Sequence, residues 1–98
     1  MRYEVIVEPP ARLNIRAAYH WYEERAEGLG SEFLRAVAAG VERLERAPMT
    51  FRLERQKYRR VHLHKFPYAL HYTVTDGGRV HVIACLHFRQ SPDAWPGA

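Results

Sequence analysis

Histidine and arginine carry most of the chemistry this chain could support. Five of its six histidines, His62, His64, His71, His81 and His87, lie between residues 61 and 87. Arg59, Arg60 and Arg89 flank them. Imidazole exchanges protons near neutral pH. Metal-free RNA cleavage needs a base for the 2′-hydroxyl, an acid for the leaving oxygen and cations for the phosphorane, and these residue types can fill all three roles. A metal reading starts from the same histidines. His62 and His64, two apart on one strand, share a face, and His71 and His81 could approach from neighbouring strands. Zinc, however, asks for three or four convergent ligands held by further hydrogen bonds. This half of the chain has one cysteine and few carboxylates, so neither a metal nor another cofactor is expected. That cysteine, Cys85, rules out an internal disulfide. Its place in an apolar strand makes it a small buried hydrophobe rather than a nucleophile.

These residues must be positioned by strands. Val61 and Leu63 alternate with His62 and His64. Tyr68, Leu70, Tyr72 and Val74 alternate with Ala69, His71 and Thr73, and Val80, Val82, Ala84 and Leu86 alternate with His81, Ile83, Cys85 and His87. Period-two alternation rich in Val and Tyr predicts three antiparallel strands. Phe66-Pro67 separates the first two, and Asp76-Gly77-Gly78 turns the second into the third. Residues 2–8 alternate as well and end at Pro9-Pro10, giving an N-terminal strand expected to pair inside the sheet. From Ala11 to Arg25 the period becomes helical, with Ala11, Ile15, Ala18 and Tyr22 on one face. Gly28 and Gly30 mark a turn. A second helix is expected from Ser31, as N-cap, to Ala47, with Leu34, Val37, Val41 and Leu44 inward. Gly40 within it costs about 1 kcal/mol relative to alanine, which points to a close approach by the neighbouring helix or the sheet. Residues 49–58 show no period, although a strand extension from Leu53 is compatible with them. The expected architecture is α+β, ordered β-α-α-β-β-β: a mainly antiparallel four-stranded sheet with an α-hairpin on one face and the other face at least partly open.

Ninety-eight residues make one domain, 1–98. A chain of this size buries a modest core, and many such domains lean on a partner. The sequence holds no apolar run long enough to span a membrane and no leader-like N-terminus, so a cytoplasmic location is expected. Charge is unevenly placed. Residues 9–47 hold six Arg and six Glu, whereas residues 48–98 hold six Arg and two Lys against one Glu and two Asp, a net of +5. A basic sheet half attracts nucleic acid, acidic protein, or both.

The order of the basic pair Arg59-Arg60, the run F-P-Y-A-L-H-Y (Phe66–Tyr72), the hairpin, an apolar strand, L-H-F-R (Leu86–Arg89) and P-D-A-W (Pro92–Trp95) resembles the RelE/ParE superfamily of small toxins from type II toxin–antitoxin modules, and ParE-type members most. The resemblance covers nearly the whole chain. It implies a growth-inhibiting toxin of the kind that stabilises plasmids. ParE-type members need no catalytic residue. They bind DNA gyrase and stall replication, with Arg59, Arg60, His87, Arg89 and Trp95 as the candidate contacts here. RelE-type members are metal-independent endoribonucleases that cut messenger RNA on the ribosome. On that alternative Arg60, His87 and Arg89 would be catalytic, with His87 in proton transfer. The chain departs from that pattern at Ala69, where ribonuclease members usually carry arginine, at His62, a usually cationic position, and at Trp95, which lacks an ionisable hydroxyl. A third alternative is a non-toxic binding module on the same fold.

The resemblance also implies a cognate antitoxin. Its acidic C-terminal segment, disordered alone, would fold around the toxin, meeting the basic half and exposed apolar residues on the helical hairpin. DNA would then be contacted only indirectly, through the antitoxin.

Overall fold

A computed structural model describes residues 2–90. The elements run β1 (Glu4–Val7), α1 (Pro9–Arg25), α2 (Leu29–Arg46), a 3₁₀ turn (Pro48–Thr50), β2 (Leu53–Glu54), β3 (Tyr58–His62), β4 (Tyr68–Val74) and β5 (Arg79–His87). The strands form one sheet in the order β1-β5-β4-β3-β2. It is α+β and mainly antiparallel, as expected, but has five strands. The additional strand, β2, is two residues long and pairs with Tyr58 and Arg59. β1 takes the sheet edge rather than an inner position and runs parallel to β5, Glu4 opposite Arg79 and Val7 opposite Val82. The two helices supply the crossover that a parallel pair requires.

Pro9 and Pro10 open α1, where their missing amides cost nothing. Its buried face is Ala11 and Ala18, with Ile15 and Tyr22 partly buried. α2 starts two residues earlier than Ser31. Gly28 is its N-cap residue, in a left-handed conformation (φ 89°) that glycine adopts without a Cβ clash. Ser31 lies inside the helix. The open amides of the first turn are met from α1: Glu23 accepts from the Gly28 N–H at 3.0 Å and the Gly30 N–H at 2.9 Å. The inner stripe of α2 is Phe33, Val37, Gly40 and Leu44. Leu34, expected inward, is 42% exposed. The close approach at Gly40 is to the sheet, where an added Cβ would sit 3.1 Å from Leu63 and Leu70.

Residues opposite each other across a strand pair share a face. Val61, Leu70 and Cys85 line up toward the helices, whereas Arg60, His71 and Ala84 point away. Near the middle of β5 the register skips Ile83: His71 faces Ala84 and Tyr72 faces Val82. This bulge reverses the later half of the strand. Val80, Val82 and Cys85 therefore join the core, while Ala84 and Leu86, expected to share a face with Val80 and Val82, turn to the outer face. Tyr72 is fully buried and donates to the Pro48 carbonyl at 2.5 Å, fixing the turn that follows α2.

Candidate target-binding surfaces

The candidate residues fall on three separate parts of the molecule. Arg59 is turned into the fold. Its Nη1 donates to the Phe51 carbonyl at 2.5 Å and reaches the Met49 carbonyl at 3.5 Å. The guanidinium thus holds the loop that leads into β2 against β3. Trp95 lies outside the described residues.

Arg60 is on the outer face of β3, with its guanidinium 3.9 Å from the Glu54 carboxylate. His62, two residues on, has its ring 4.6 Å from that of Phe88. Its pKa is lowered by burial and by the nearby charges of Arg60 and Arg43. Across the strand pair from Arg60 sits His71, which is 3% exposed, its ring 5.6 Å from that of Tyr58. Burial first, then Arg60, lowers its pKa to about 4, so His71 is neutral at physiological pH. The outer face is therefore open at Arg60 and His62 and closed at His71. Arg43, from α2, borders this region and donates to the His62 carbonyl at 2.9 Å.

His87 is on the other side of the sheet. It pairs with Tyr68, three residues and hence one face-change away from His71, and its ring meets the Tyr68 ring edge-on. Nδ1 accepts the Arg89 N–H at 3.1 Å, which in the neutral ring leaves the proton on Nε2. The Arg89 side chain is exposed. His87 borders a groove of about 530 Å³ between α1 and the sheet, whose wall includes Trp21, Tyr22 and Tyr68 and whose floor includes Cys85. Burial raises the Cys85 thiol to about 12, so it is a neutral lining group. On the hairpin, Leu13 is 65% and Trp21, at the groove rim, 48% exposed. With Leu34 they leave the α-hairpin with apolar side chains in contact with solvent.

Arg60 and His87 are thus not brought together. Among the described residues no three His, Cys, Asp or Glu side chains converge as a metal site would need. His81, one of the four histidines weighed for metal, has Nδ1 2.8 Å from the Glu8 carboxylate. No described helix is long and apolar enough to cross a membrane. Sequence reasoning missed Arg43 and Phe88. Arg43 was counted with a charge-balanced helix, and Phe88 sits past the last alternating residue, where no periodicity marks its neighbours.

A helical hairpin with an exposed apolar flank thus lies on one face of a small, mainly antiparallel sheet, and the other face is open at Arg60 and His62. Residues 5–92 match the family model described as ParE toxin of type II toxin-antitoxin system, parDE, and the chain belongs to that family. Among solved structures, it is similar to a chain of the chromosomal ParDE TA system from P. aeruginosa, with a TM-score of 0.74, 14% identity and coverage of 88% of this chain and 96% of that one. At that identity the likeness is one of fold. No curated protein matches the chain. Membership of the ParE family implies a cognate antitoxin partner.

Proposed function

We propose that the released toxin inhibits DNA gyrase by binding it in the cytoplasm, blocking replication and growth, and that an acidic antitoxin segment holds it inactive at rest. The separation of Arg60 from His87 supports binding over cleavage. The proton-transfer group and the cation of an RNA hydrolase must reach one phosphodiester, and His87 and Arg60 occupy opposite faces of the sheet. His71, the histidine facing Arg60, is buried and neutral. Arg60, His87 and Arg89 are assigned to target contact, where separate patches can each engage part of a large partner. The antitoxin is assigned to the hairpin flank around Leu13, Trp21 and Leu34, where exposed apolar side chains suit an amphipathic segment.

Two assays on purified, antitoxin-free protein test the target. One is gyrase supercoiling of relaxed plasmid. The other is primer extension on messenger RNA from translating ribosomes. Loss of supercoiling with intact message is the expected result. Discrete cuts in the A-site codon with unaffected supercoiling would replace this reading with the ribonuclease one. Neither effect, in protein that also fails to slow growth, would make the chain a non-toxic binding module.

A further inference from the structure

The outer edge of the sheet carries a cleft of about 450 Å³, and of its lining the assignments above use Arg60 alone. Arg43, Arg52 and Arg60 border it, and Glu54 is the one carboxylate on its described wall. Arg52 Nε and Arg60 Nη2 stand 3.8 and 3.9 Å from the same Glu54 oxygen, longer than a charge-assisted hydrogen bond. One carboxylate is thus shared loosely between two cations, and a third guanidinium lies beside them. Arg43 donates to the His62 carbonyl through Nη2, while its Nε is buried with no hydrogen-bond partner. The local balance is positive: three guanidinium groups stand around one carboxylate.

We infer that this cleft binds the phosphodiester backbone of single-stranded nucleic acid, with Arg52 and Arg60 on phosphates and the His62–Phe88 pair as a stacking platform. Glu54 stands where an incoming phosphate would sit between the two arginines. An acidic peptide would satisfy the arginines equally well. The aromatic neighbour decides between them. His62 borders the cleft, its ring lies 4.6 Å from Phe88, and Phe88 is 50% exposed at the sheet end. A basic groove beside an exposed aromatic side chain is how proteins hold single strands: cations follow the backbone while bases stack. The toxin would then touch nucleic acid directly, without the antitoxin as intermediary.

The test is fluorescence anisotropy of a labelled single-stranded oligonucleotide of about twelve nucleotides, titrated with antitoxin-free protein over a salt series. Each phosphate neutralised contributes about −0.7 to the slope of log K against log salt. The Arg52→Gln, Arg60→Gln double variant should bind at least tenfold more weakly, with a slope shallower by about 1.4. Arg52 is 87% exposed, so Arg52→Gln alone keeps the fold and still flattens the slope by about 0.7. Phe88→Ala should lose about tenfold through lost stacking. An Arg16→Gln, Arg35→Gln variant, altered on the helices, should bind as the parent does. The inference is overturned if the parent does not bind the oligonucleotide, or if the helix variant loses as much as the cleft variant. It is equally overturned if Phe88→Ala binds normally while tripolyphosphate or poly-glutamate displaces the oligonucleotide at matched charge. That outcome would leave a bare anion site or an acidic-peptide site.

Discussion

The side-chain oxygen of Asn14, midway along α1, accepts the backbone N–H of Cys85 at 3.0 Å, just beyond the bulge in β5. Cys85 stays opposite Leu70 in the sheet, and Asn14 meets its amide from the helix above. Asn14→Ala would leave that part-buried donor unsatisfied. It should lower stability by about 1–3 kcal/mol, read as a shift in the urea midpoint with an unchanged m-value.

His71 should make the protein acid-sensitive in a defined window. The unfolded chain takes up this proton near 6.5, and the folded protein only near 4. Between those values the unfolded state binds more protons, so His71's contribution is complete above pH 6.5 and lost as pH falls toward 4. The size is about 2–3 kcal/mol. Urea midpoints across pH 4–7 should fall steeply in the parent and less so in His71→Leu. Equal slopes would show that His71 is not held neutral by the fold.

Cys85 should be chemically silent while the protein is folded. It is 1% exposed and its thiol is pushed up to about 12, so almost no thiolate is present at pH 8. Iodoacetamide should label it slowly in buffer and fast in urea. Rapid labelling of native protein would mean that the groove above it opens.

Arg89 tests target contact. Its backbone N–H holds the His87 ring while its side chain is exposed, so truncating the side chain leaves the fold intact. Arg89→Ala should abolish growth inhibition without moving the melting temperature. Full toxicity in this variant would remove Arg89 from the contact surface.

Trp21 tests the antitoxin flank. It is 48% exposed and covered on one side by the Arg25 guanidinium, 3.5 Å from the ring centroid. Exposed tryptophans are frequent anchors of interfaces, worth about 2 kcal/mol or more. Trp21→Glu should weaken capture of the cognate antitoxin at least thirtyfold while supercoiling inhibition persists. Unchanged capture would place the antitoxin elsewhere.

Where one pattern repeats without interruption, the chain reads directly into structure. β4 spans Tyr68–Val74, the run whose alternation predicts it, and α1 ends at Arg25 as its period indicates. β5 illustrates how that breaks down. One skipped residue, Ile83, exchanges the faces of Ala84 and Cys85, and alternation alone carries no sign of a bulge. In α2, Phe33 and Leu34 are equally apolar neighbours. Which one turns inward depends on where the sheet meets the helix, and contacts across the chain set that. Ser31 resembles a cap, but Glu23 performs the task from another helix.

The functional surface was less legible. Arg59 and Arg60 are adjacent and identical in type, yet one braces a loop through backbone carbonyls and the other faces outward. Alternation separates their faces without revealing that Arg59 is occupied. Arg43 joins the basic edge only because α2 delivers its end beside His62.

The pairing of β1 with β5 also bears on how the toxin comes into being. Glu4 must wait for Arg79, and Val7 for Val82. At about 5–20 residues per second, translation separates these partners by several seconds. β1 therefore leaves the ribosome well before its neighbour β5 exists, and loop-closure entropy opposes so distant a contact until it forms. The nascent toxin passes its early life without a finished sheet, an interval in which an antitoxin made nearby can meet it before any poison is complete.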